Sequence, residues 1–421
     1  MIGMHDLTDL LSSKDQIIAI FRFLRQGEQQ QMLDAYNVEE WREILAQAQI
    51  QQLAPLLYQR LVKDRKKEGL PDEVARVLQE SYYRCLRRNL LKFNELHKVL
   101  LEFQKNGIPI LLLKGSYLAK FIYQNIGLRP MVDLDLMVER DHLQPALEIL
   151  RKLGYGGSDL PLSAEEIDVY KHAPTLEKPG LIWLELHWKL TDKDEGLQIE
   201  EQDLWQRVKP VQFDNVKAMV LAPEDLVLHI CVHAAYGHLF SVQARSVVDL
   251  AEILIKEGGC INWETIIDKA DRWQAGRGAF LMLYLAQYYL NAPVPNAVLT
   301  ALRPVDFDPL IIDDIFWQFC RKEYEVGDLF RNLENKKLFQ KFNVLIGTFF
   351  PSRVKLSRIY QVDARSWKLL LYYPILWRDK VFRQWRNAIN LLTGSGETGR
   401  SLKAINTIQT WLQIPGFKER P

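Results

Sequence analysis

The spacing of apolar residues predicts a helical N-terminal region. Residues 1 to about 95 repeat apolar side chains at helical intervals, as Ile17 and Phe21 do on one face. The stretch 68–72 contains a glycine and a proline and should separate two helices. The last helix is expected to end at Asn106-Gly107, because glycine commonly follows the end of a helix.

Three stretches with a different pattern predict strands. Residues 108–113 are continuously apolar, which indicates a buried strand, and a short helix over 116–124 should follow. Residues 131–138 alternate apolar and acidic side chains with the period of two that is typical of a strand. Residues 175–188 predict a hairpin that turns at Pro179-Gly180.

Helical spacing returns at Pro223 and holds to about residue 345, after which the chain is basic and aromatic. The last 71 residues hold 13 basic and four acidic side chains. These changes divide the chain into an N-terminal helical region (1–95), an α/β core (96–215), a helical domain expected to close the cleft (216–350) and a basic aromatic tail (351–421).

The composition is that of a folded protein, with 421 residues of which 48% are hydrophobic and 25% charged. A formal net charge of +1 argues against a protein that coats nucleic acid, so any site for a polyanion must be local. The four cysteines form no C-x-x-C pair and predict neither a disulfide framework nor a zinc knuckle. No apolar run reaches the roughly 18 residues of a membrane-spanning helix. We therefore expect a cytoplasmic protein.

Acidic side chains in the second and third predicted strands form the main candidate site. Side chains alternate along a strand, so Asp133 and Asp135 share one face, and Glu185 and His187 share one face of their own strand. Neighbouring carboxylates repel each other unless a cation lies between them, and hard oxygen ligands suit Mg²⁺ or Mn²⁺. His187 is expected to be a hydrogen-bonded structural residue.

The turn after the first predicted strand is a candidate phosphate site. Gly115 permits close approach of the backbone, and Ser116 begins a predicted helix whose free N–H groups suit a phosphate. Lys114 either adds a positive charge to a phosphate there or simply faces water at the strand end.

Together these motifs resemble the uncharacterised nucleotidyltransferase family of the DNA polymerase beta-type superfamily. The residues that carry the resemblance are Lys114-Gly115-Ser116, Leu128-Arg129-Pro130, Val132–Val138, Leu184–Trp188 and, in the later helices, His233, Gly237, Arg245, Asp249 and Ile261-Asn262-Trp263. The resemblance implies an α+β fold, in which a polymerase-beta-like core with a small mixed sheet and flanking helices lies between predominantly helical N- and C-terminal regions.

The resemblance also implies roles for individual residues. Gly115 and Ser116 would hold the triphosphate, and Arg129 is expected to reach a phosphate. Asp133 and Asp135 would bind metal, with Glu185 as the third carboxylate and Mg²⁺ or Mn²⁺ as the ion.

The implied reaction is transfer of a nucleoside monophosphate from a nucleoside triphosphate such as ATP to an acceptor, with release of pyrophosphate. The acceptor, whether a small molecule, a peptide or a protein, cannot be read from the sequence. The alternative is a catalytically silent module that binds nucleotide or a partner.

Other polar residues have simpler interpretations. His229 and His233 are one helical turn apart, with His238 nearby, and are expected to be core or interface histidines rather than zinc ligands. Arg245 and Asp249 are expected to form an ion pair on a helix surface, and the family resemblance allows the alternative that they face the nucleotide cleft.

The basic aromatic tail has two possible interpretations. Its Trp367–Arg386 segment is expected to pack an aromatic face on the body of the protein and show its basic face to water. The alternative is a peripheral contact with an anionic membrane or RNA through residues 351–421.

Overall fold

The structure is a computed structural model, and it describes residues 4–25, 36–64, 70–156, 164–180, 182–320, 372–374 and 396–414, together with Leu33 and Leu162. Helices make up most of it. They are α1 (Met4–Leu24), α2 (Val38–Ile50), α3 (Ala54–Leu57), α4 (Asp72–Lys105), α5 (Lys114–Tyr117), α6 (Leu143–Lys152), α7 (Ala164–Val169), α8 (Glu201–Arg207), α9 (Pro223–Val232), α10 (Arg245–Glu257), α11 (Trp263–Arg272), α12 (Gly276–Leu290), α13 (Asn296–Leu302), α14 (Ile311–Cys320) and α15 (Gly396–Leu412).

A mixed five-stranded sheet lies at the centre of the described residues. Its strands are β1 (Leu111–Leu112), β2 (Asp133–Met137), β3 (Trp183–His187), β4 (Lys209–Phe213) and β5 (Val216–Val220), in the spatial order β3-β2-β1-β5-β4. The strand β1 is antiparallel to β2 and parallel to β5, whereas β2 and β3 run parallel. The last two strands form an antiparallel pair. A small mixed sheet between helical regions is confirmed.

The long helix α4 connects the N-terminal helices to this sheet. It has 34 residues, and its buried positions recur at helical spacing, so one face packs on α3 and on β5. Buried Asn89 on this face donates hydrogen bonds to the carbonyls of Ile126 (2.6 Å) and Arg129 (2.8 Å), which fixes the loop that leads into β2. The helix runs across residue 95, where the first regional boundary was predicted. The four-region division itself stays a prediction.

The end of α4 explains why the first strand is short. Gly107 adopts a left-handed conformation with φ +67°, as predicted for a helix stop, and the Ile108 N–H bonds back to the Phe103 carbonyl at 3.0 Å. The start of the apolar run 108–113 is therefore used to close the helix. Only Leu111 and Leu112 remain as a strand.

The helix after β1 begins two residues earlier than the predicted range 116–124. It starts at Lys114 as α5 and continues as a π-helical turn over Leu118–Ile122. The predicted hairpin is confirmed, because Leu176 pairs antiparallel with Leu184 and Gly180 has φ +76° at the turn.

The later helices pack against the N-terminal ones as well as against one another. Helix α1 contacts α12 and α14, and α15 packs on α14. Predicted helical structure after Pro223 is confirmed as far as Cys320. The remainder of that stretch, and most of the basic aromatic tail, lie outside the described residues. Among the helices that are described, none is long and apolar enough to cross a membrane.

A group of buried and half-buried charges connects three of these helices. We call Asp203, Arg207, Glu224, Asp225 and Lys269 the helical ion cluster. Asp225 is fully buried and accepts hydrogen bonds from Arg207 Nε at 2.9 Å and Lys269 Nζ at 2.5 Å. Arg207 also pairs with Glu224 at 2.7 Å, and Lys269 pairs with Asp203 at 2.6 Å. Every carboxylate in this cluster therefore has a cationic partner.

Candidate functional site

The parallel pairing of β2 with β3 determines which side chains share a face. Asp135 lies opposite Glu185 in the register, and Asp133 lies opposite Trp183. Since alternate residues of a strand share a face, Asp133, Asp135, Glu185 and His187 all project from one side of the sheet. We call these four residues the acidic cluster.

Distances within the acidic cluster bring three of its members together. The Nε2 atom of His187 lies 3.1 Å from Asp135 Oδ1 and 3.5 Å from Glu185 Oε2. One ligand atom from each of these three residues lies within 4.8 Å of the other two, close enough to hold one metal ion. Asp133 is not part of this closest group in the described structure. It lies beside the group on the same strand face.

Burial and charge separate the pKa values of the two aspartates. Burial, followed by the negative charge of Asp135, raises the pKa of Asp133 to about 6. Burial acts in the same direction on Asp135, but the Lys114 ammonium and the His187 imidazole outweigh it and hold the pKa of Asp135 well below its usual value. The cluster therefore contains one strongly acidic carboxyl group and one that titrates near neutrality.

Glu185 is held by imidazoles. Burial alone would raise the pKa of Glu185, and the hydrogen bond with His187 overcomes this and lowers it. His172, from the hairpin strand that pairs with β3, places its Nε2 atom 3.8 Å from Glu185 Oε2. The pKa of His172 is lowered by burial and by His187.

Lys114 contacts the acidic cluster. Its ammonium donates a hydrogen bond to Asp135 Oδ1 at 2.9 Å, and its side chain is only 13% exposed. The residue has φ +39°, an uncommon conformation for a lysine at the junction between β1 and α5. Of the two interpretations drawn from the sequence, a lysine that simply faces water is therefore wrong. A contact with phosphate stays a prediction.

The Gly115-Ser116 turn is occupied by contacts within the protein. Ser116 is fully buried and its hydroxyl donates to the Leu113 carbonyl at 3.1 Å. A Cβ atom on Gly115 would lie 2.9 Å from Arg129 Nη1 and 3.2 Å from Met131 Cγ. The absence of a side chain at residue 115 thus makes room for Arg129.

Arg129 is committed to a buried ion pair. Its Nε and Nη2 atoms donate to the two oxygens of Asp249, at 2.9 and 2.8 Å, and Tyr123 donates to the same carboxylate at 2.8 Å. The expected surface pair between Arg245 and Asp249 is wrong, because Asp249 faces inward toward Arg129. Arg245 instead donates to the Pro130 carbonyl at 3.0 Å and to the Gln52 side chain.

Histidines from α9 and the turn after it lie near the cluster. The His229 and His233 rings are stacked with centroids 6.2 Å apart, and His238 meets His233 at 4.4 Å. Burial, followed by the positive charge of Lys114, holds the pKa of His229 and His233 well below the usual value. These neutral rings fit the expectation of core or interface histidines.

Two residues at the site were not assigned a functional role from the sequence. His187 forms the predicted hydrogen bond, yet it also belongs to the closest ligand group, and its shared strand face with Glu185 was the available signal. Lys92 on α4 donates a hydrogen bond to the Met131 carbonyl, two residues before Asp133. Nothing in the local sequence distinguishes Lys92 from other helical lysines, because this contact spans 39 residues.

Comparison with known proteins identifies the family. A search of curated proteins found no match. The sequence profile of a family described as uncharacterised nucleotidyltransferase matches residues 37–291, which is more than half of the chain. The matched range contains the acidic cluster, Lys114, Gly115, Ser116 and Arg129. The chain belongs to this uncharacterised nucleotidyltransferase family.

Proposed function

We propose that the protein is a metal-dependent nucleotidyltransferase of the polymerase-beta type, which transfers a nucleoside monophosphate from a nucleoside triphosphate to an acceptor and releases pyrophosphate. The observation that carries this proposal is the acidic cluster, where Asp135, Glu185 and His187 approach within 4.8 Å beside Asp133. Membership of the family supports the same reaction class. Asp133, Asp135 and Glu185 are the proposed catalytic and metal-binding residues.

The donor set fits a divalent metal ion. Asp133, Asp135 and Glu185 supply hard oxygen donors, and His187 supplies a nitrogen whose ring is almost fully buried. When bound, the ion would polarise the reacting phosphate and neutralise charge on the departing pyrophosphate. Oxygen donors accommodate Mg²⁺ or Mn²⁺, and an imidazole nitrogen in the set favours Mn²⁺.

The protein's own residues have separate tasks in this scheme. Asp133 lies beside the closest ligand group on the same strand face, which suits it to supply a further oxygen donor to the ion. Without the ion, the Nε2 atom of His187 contacts both Asp135 and Glu185, so the three ligands are already held together before the metal binds. Lys114 neutralises Asp135 and lies where it can instead meet a phosphate. Because these groups are fixed in advance, catalysis would be mainly positioning and electrostatic.

The test compares two aspartate variants in an assay for nucleotide transfer. Wild-type protein is incubated with Mg²⁺ or Mn²⁺, nucleoside triphosphates labelled at the α-phosphate, and pools of small molecules and proteins as acceptors. We expect pyrophosphate and a labelled product, with more product in Mn²⁺. Asp133→Asn should lower turnover at least about 100-fold, as for loss of one electrostatic stabilising group.

Asp141→Asn is the matched control, because Asp141 is an exposed aspartate outside the cluster. It should retain turnover. Equal turnover by the Asp133 and Asp141 variants would contradict the assignment.

A second candidate function is nucleotide binding without turnover. The observation in its favour is that Ser116 and Arg129, both predicted to bind phosphate, are buried and fully engaged within the protein. Calorimetric binding of a triphosphate together with the absence of any pyrophosphate or labelled product would support this alternative. Detectable transfer that depends on Asp133 would exclude it.

A further inference from the structure

Two of the cations near the acidic cluster are neutralised by carboxylates of the protein. Lys114 pairs with Asp135, and Arg129 pairs with Asp249. Arg245 is half-buried and donates to the Pro130 carbonyl and the Gln52 side chain. A nucleotidyltransferase must nevertheless bind a triphosphate with several negative charges, so its phosphate ligands have to come partly from elsewhere.

Helix α4 carries basic residues at regular spacing that end at this site. Arg84, Arg88 and Lys92 follow one another at intervals of four residues on α4, so they form a line along the helix about 12 Å long. We call these three residues the α4 basic line. Within residues 81–94 the helix has four basic residues and no acidic one.

The α4 basic line ends next to the acidic cluster. Lys92 donates a hydrogen bond to the Met131 carbonyl. Met131 lies two residues before Asp133, in the segment that leads into β2. The side chain of Met131 also packs against Gly115, so Met131 links Lys92 to the turn where a phosphate was predicted. Arg88 is one helical turn before Lys92 and is exposed.

The arginines of this line have no ionic partner in the part of the chain that the structure describes. Neither Arg84 nor Arg88 has a carboxylate oxygen within 4.0 Å there, in contrast to Arg129 and to Arg207 of the helical ion cluster. A guanidinium can donate two parallel hydrogen bonds to a phosphate. An exposed arginine one helical turn from Lys92 can therefore bind an anionic substrate without breaking an internal pair.

We propose that Arg88 and Lys92 bind the β- and γ-phosphates of the nucleoside triphosphate, with Arg84 extending the same positive surface. This inference rests on the proposed function and names the phosphate ligands of that site. It replaces Ser116 and Arg129 as the residues that contact the phosphates. Lys92 meets the phosphates near the cluster, and Arg88 meets the terminal phosphate one turn farther along α4.

Arg87 provides a matched control on the same helix. It carries the same charge and is also exposed, but its position is about 100° around the helix from Arg88, on the side away from Lys92. Arg88→Gln and Arg87→Gln therefore change the net charge equally. Only the first removes a member of the α4 basic line.

The experiment measures binding of inorganic tripolyphosphate by calorimetry, with ATP and AMP as further probes. Tripolyphosphate removes the unknown base preference, and AMP lacks the two outer phosphates. We expect the full-length protein to bind tripolyphosphate and ATP more tightly than AMP. Arg88→Gln should weaken binding of tripolyphosphate and of ATP about 10-fold, the order expected for loss of a charge-assisted hydrogen bond. Its affinity for AMP should be unchanged. Arg87→Gln should bind all three as the wild type does.

Equal binding of tripolyphosphate by the Arg88 and Arg87 variants would overturn the inference, as would absence of tripolyphosphate binding by the wild type. Parallel pyrophosphate-release assays keep this result separate from the proposed function. Turnover that depends on Asp133 but not on Arg88 would refute the phosphate ligands and leave the enzyme assignment standing. Unchanged melting temperatures would establish that both variants are folded.

Discussion

The helical ion cluster and the acidic cluster each contain two aspartates and one glutamate. They differ in the cations that surround these carboxylates. In the helical ion cluster, Asp225 has both a guanidinium and an ammonium within 3 Å. In the acidic cluster, the ion pair that Lys114 forms within the described residues is with Asp135. Within the same part of the chain, the ion-pair partners of Glu185 are the imidazoles of His172 and His187. The first arrangement is complete within the protein, whereas the second has carboxylate oxygens left for an added cation.

The largest effect should come from breaking the complete cluster. Asp225→Ala leaves the buried Lys269 ammonium without its closest partner, and we expect a loss of about 3–5 kcal/mol in the free energy of unfolding. Denaturant unfolding measures this change. Asp268→Ala, which removes an exposed partner of Arg272, is the control and should cost less than about 1 kcal/mol. Similar small losses for both variants would show that the helical ion cluster does not stabilise the fold.

In the acidic cluster, removal of a carboxylate should instead increase the free energy of unfolding. Because the pKa of Asp133 rises from 3.8 to about 6 on folding, its ionised form opposes folding, and wild-type stability should fall as the pH rises through this interval. Asp133→Asn carries no such charge. In EDTA, we expect the variant to be more stable by about 1–3 kcal/mol above pH 6, with the advantage absent below pH 4.

Thermal or denaturant unfolding between pH 3.5 and 8 checks this prediction. The same variant should lose its response to added Mn²⁺, which would stabilise the wild type by binding the folded state. If Asp133→Asn is less stable than the wild type at pH 8, the ionised Asp133 side chain does not destabilise the folded protein and this prediction is wrong.

An effect of similar size is expected at Gly115, which lies beside the acidic cluster and packs against Arg129 and Met131. A methyl group there would press on Arg129 and Met131, and we expect Gly115→Ala to lower the free energy of unfolding by about 1–3 kcal/mol. Gly276→Ala is the control, since no atom lies within 4 Å of its added Cβ. Weaker binding of tripolyphosphate without any loss of stability would instead favour the predicted phosphate role of Gly115.

The strands of the acidic cluster could be predicted because their signal is local. Alternation over 131–138 places Asp133 and Asp135 on one face, and the hairpin turn at Pro179-Gly180 marks the approach to β3. The sequence does not determine which strands pair or in which register. The opposition of Asp135 and Glu185 depends on a parallel pairing between residues 50 apart.

Ion pairs were harder to predict than strands for the same reason. Arg245 and Asp249 have the spacing of a helix-surface pair, but Asp249 turns inward and binds Arg129, which is 120 residues away. Spacing along a helix identifies neighbours only when both side chains face water. A buried charged side chain can pair with a residue from any part of the chain, and no local sequence pattern identifies that partner.

The buried contact between Arg129 and Asp249 also bears on how the protein could be divided. Arg129 belongs to the sheet region and Asp249 to α10, so an excised fragment that ends after β5 would leave a guanidinium in an apolar interior with no counter-charge. The sheet and the helix bundle are thus mutually dependent parts, and attempts to produce the sheet alone should yield insoluble or unfolded material.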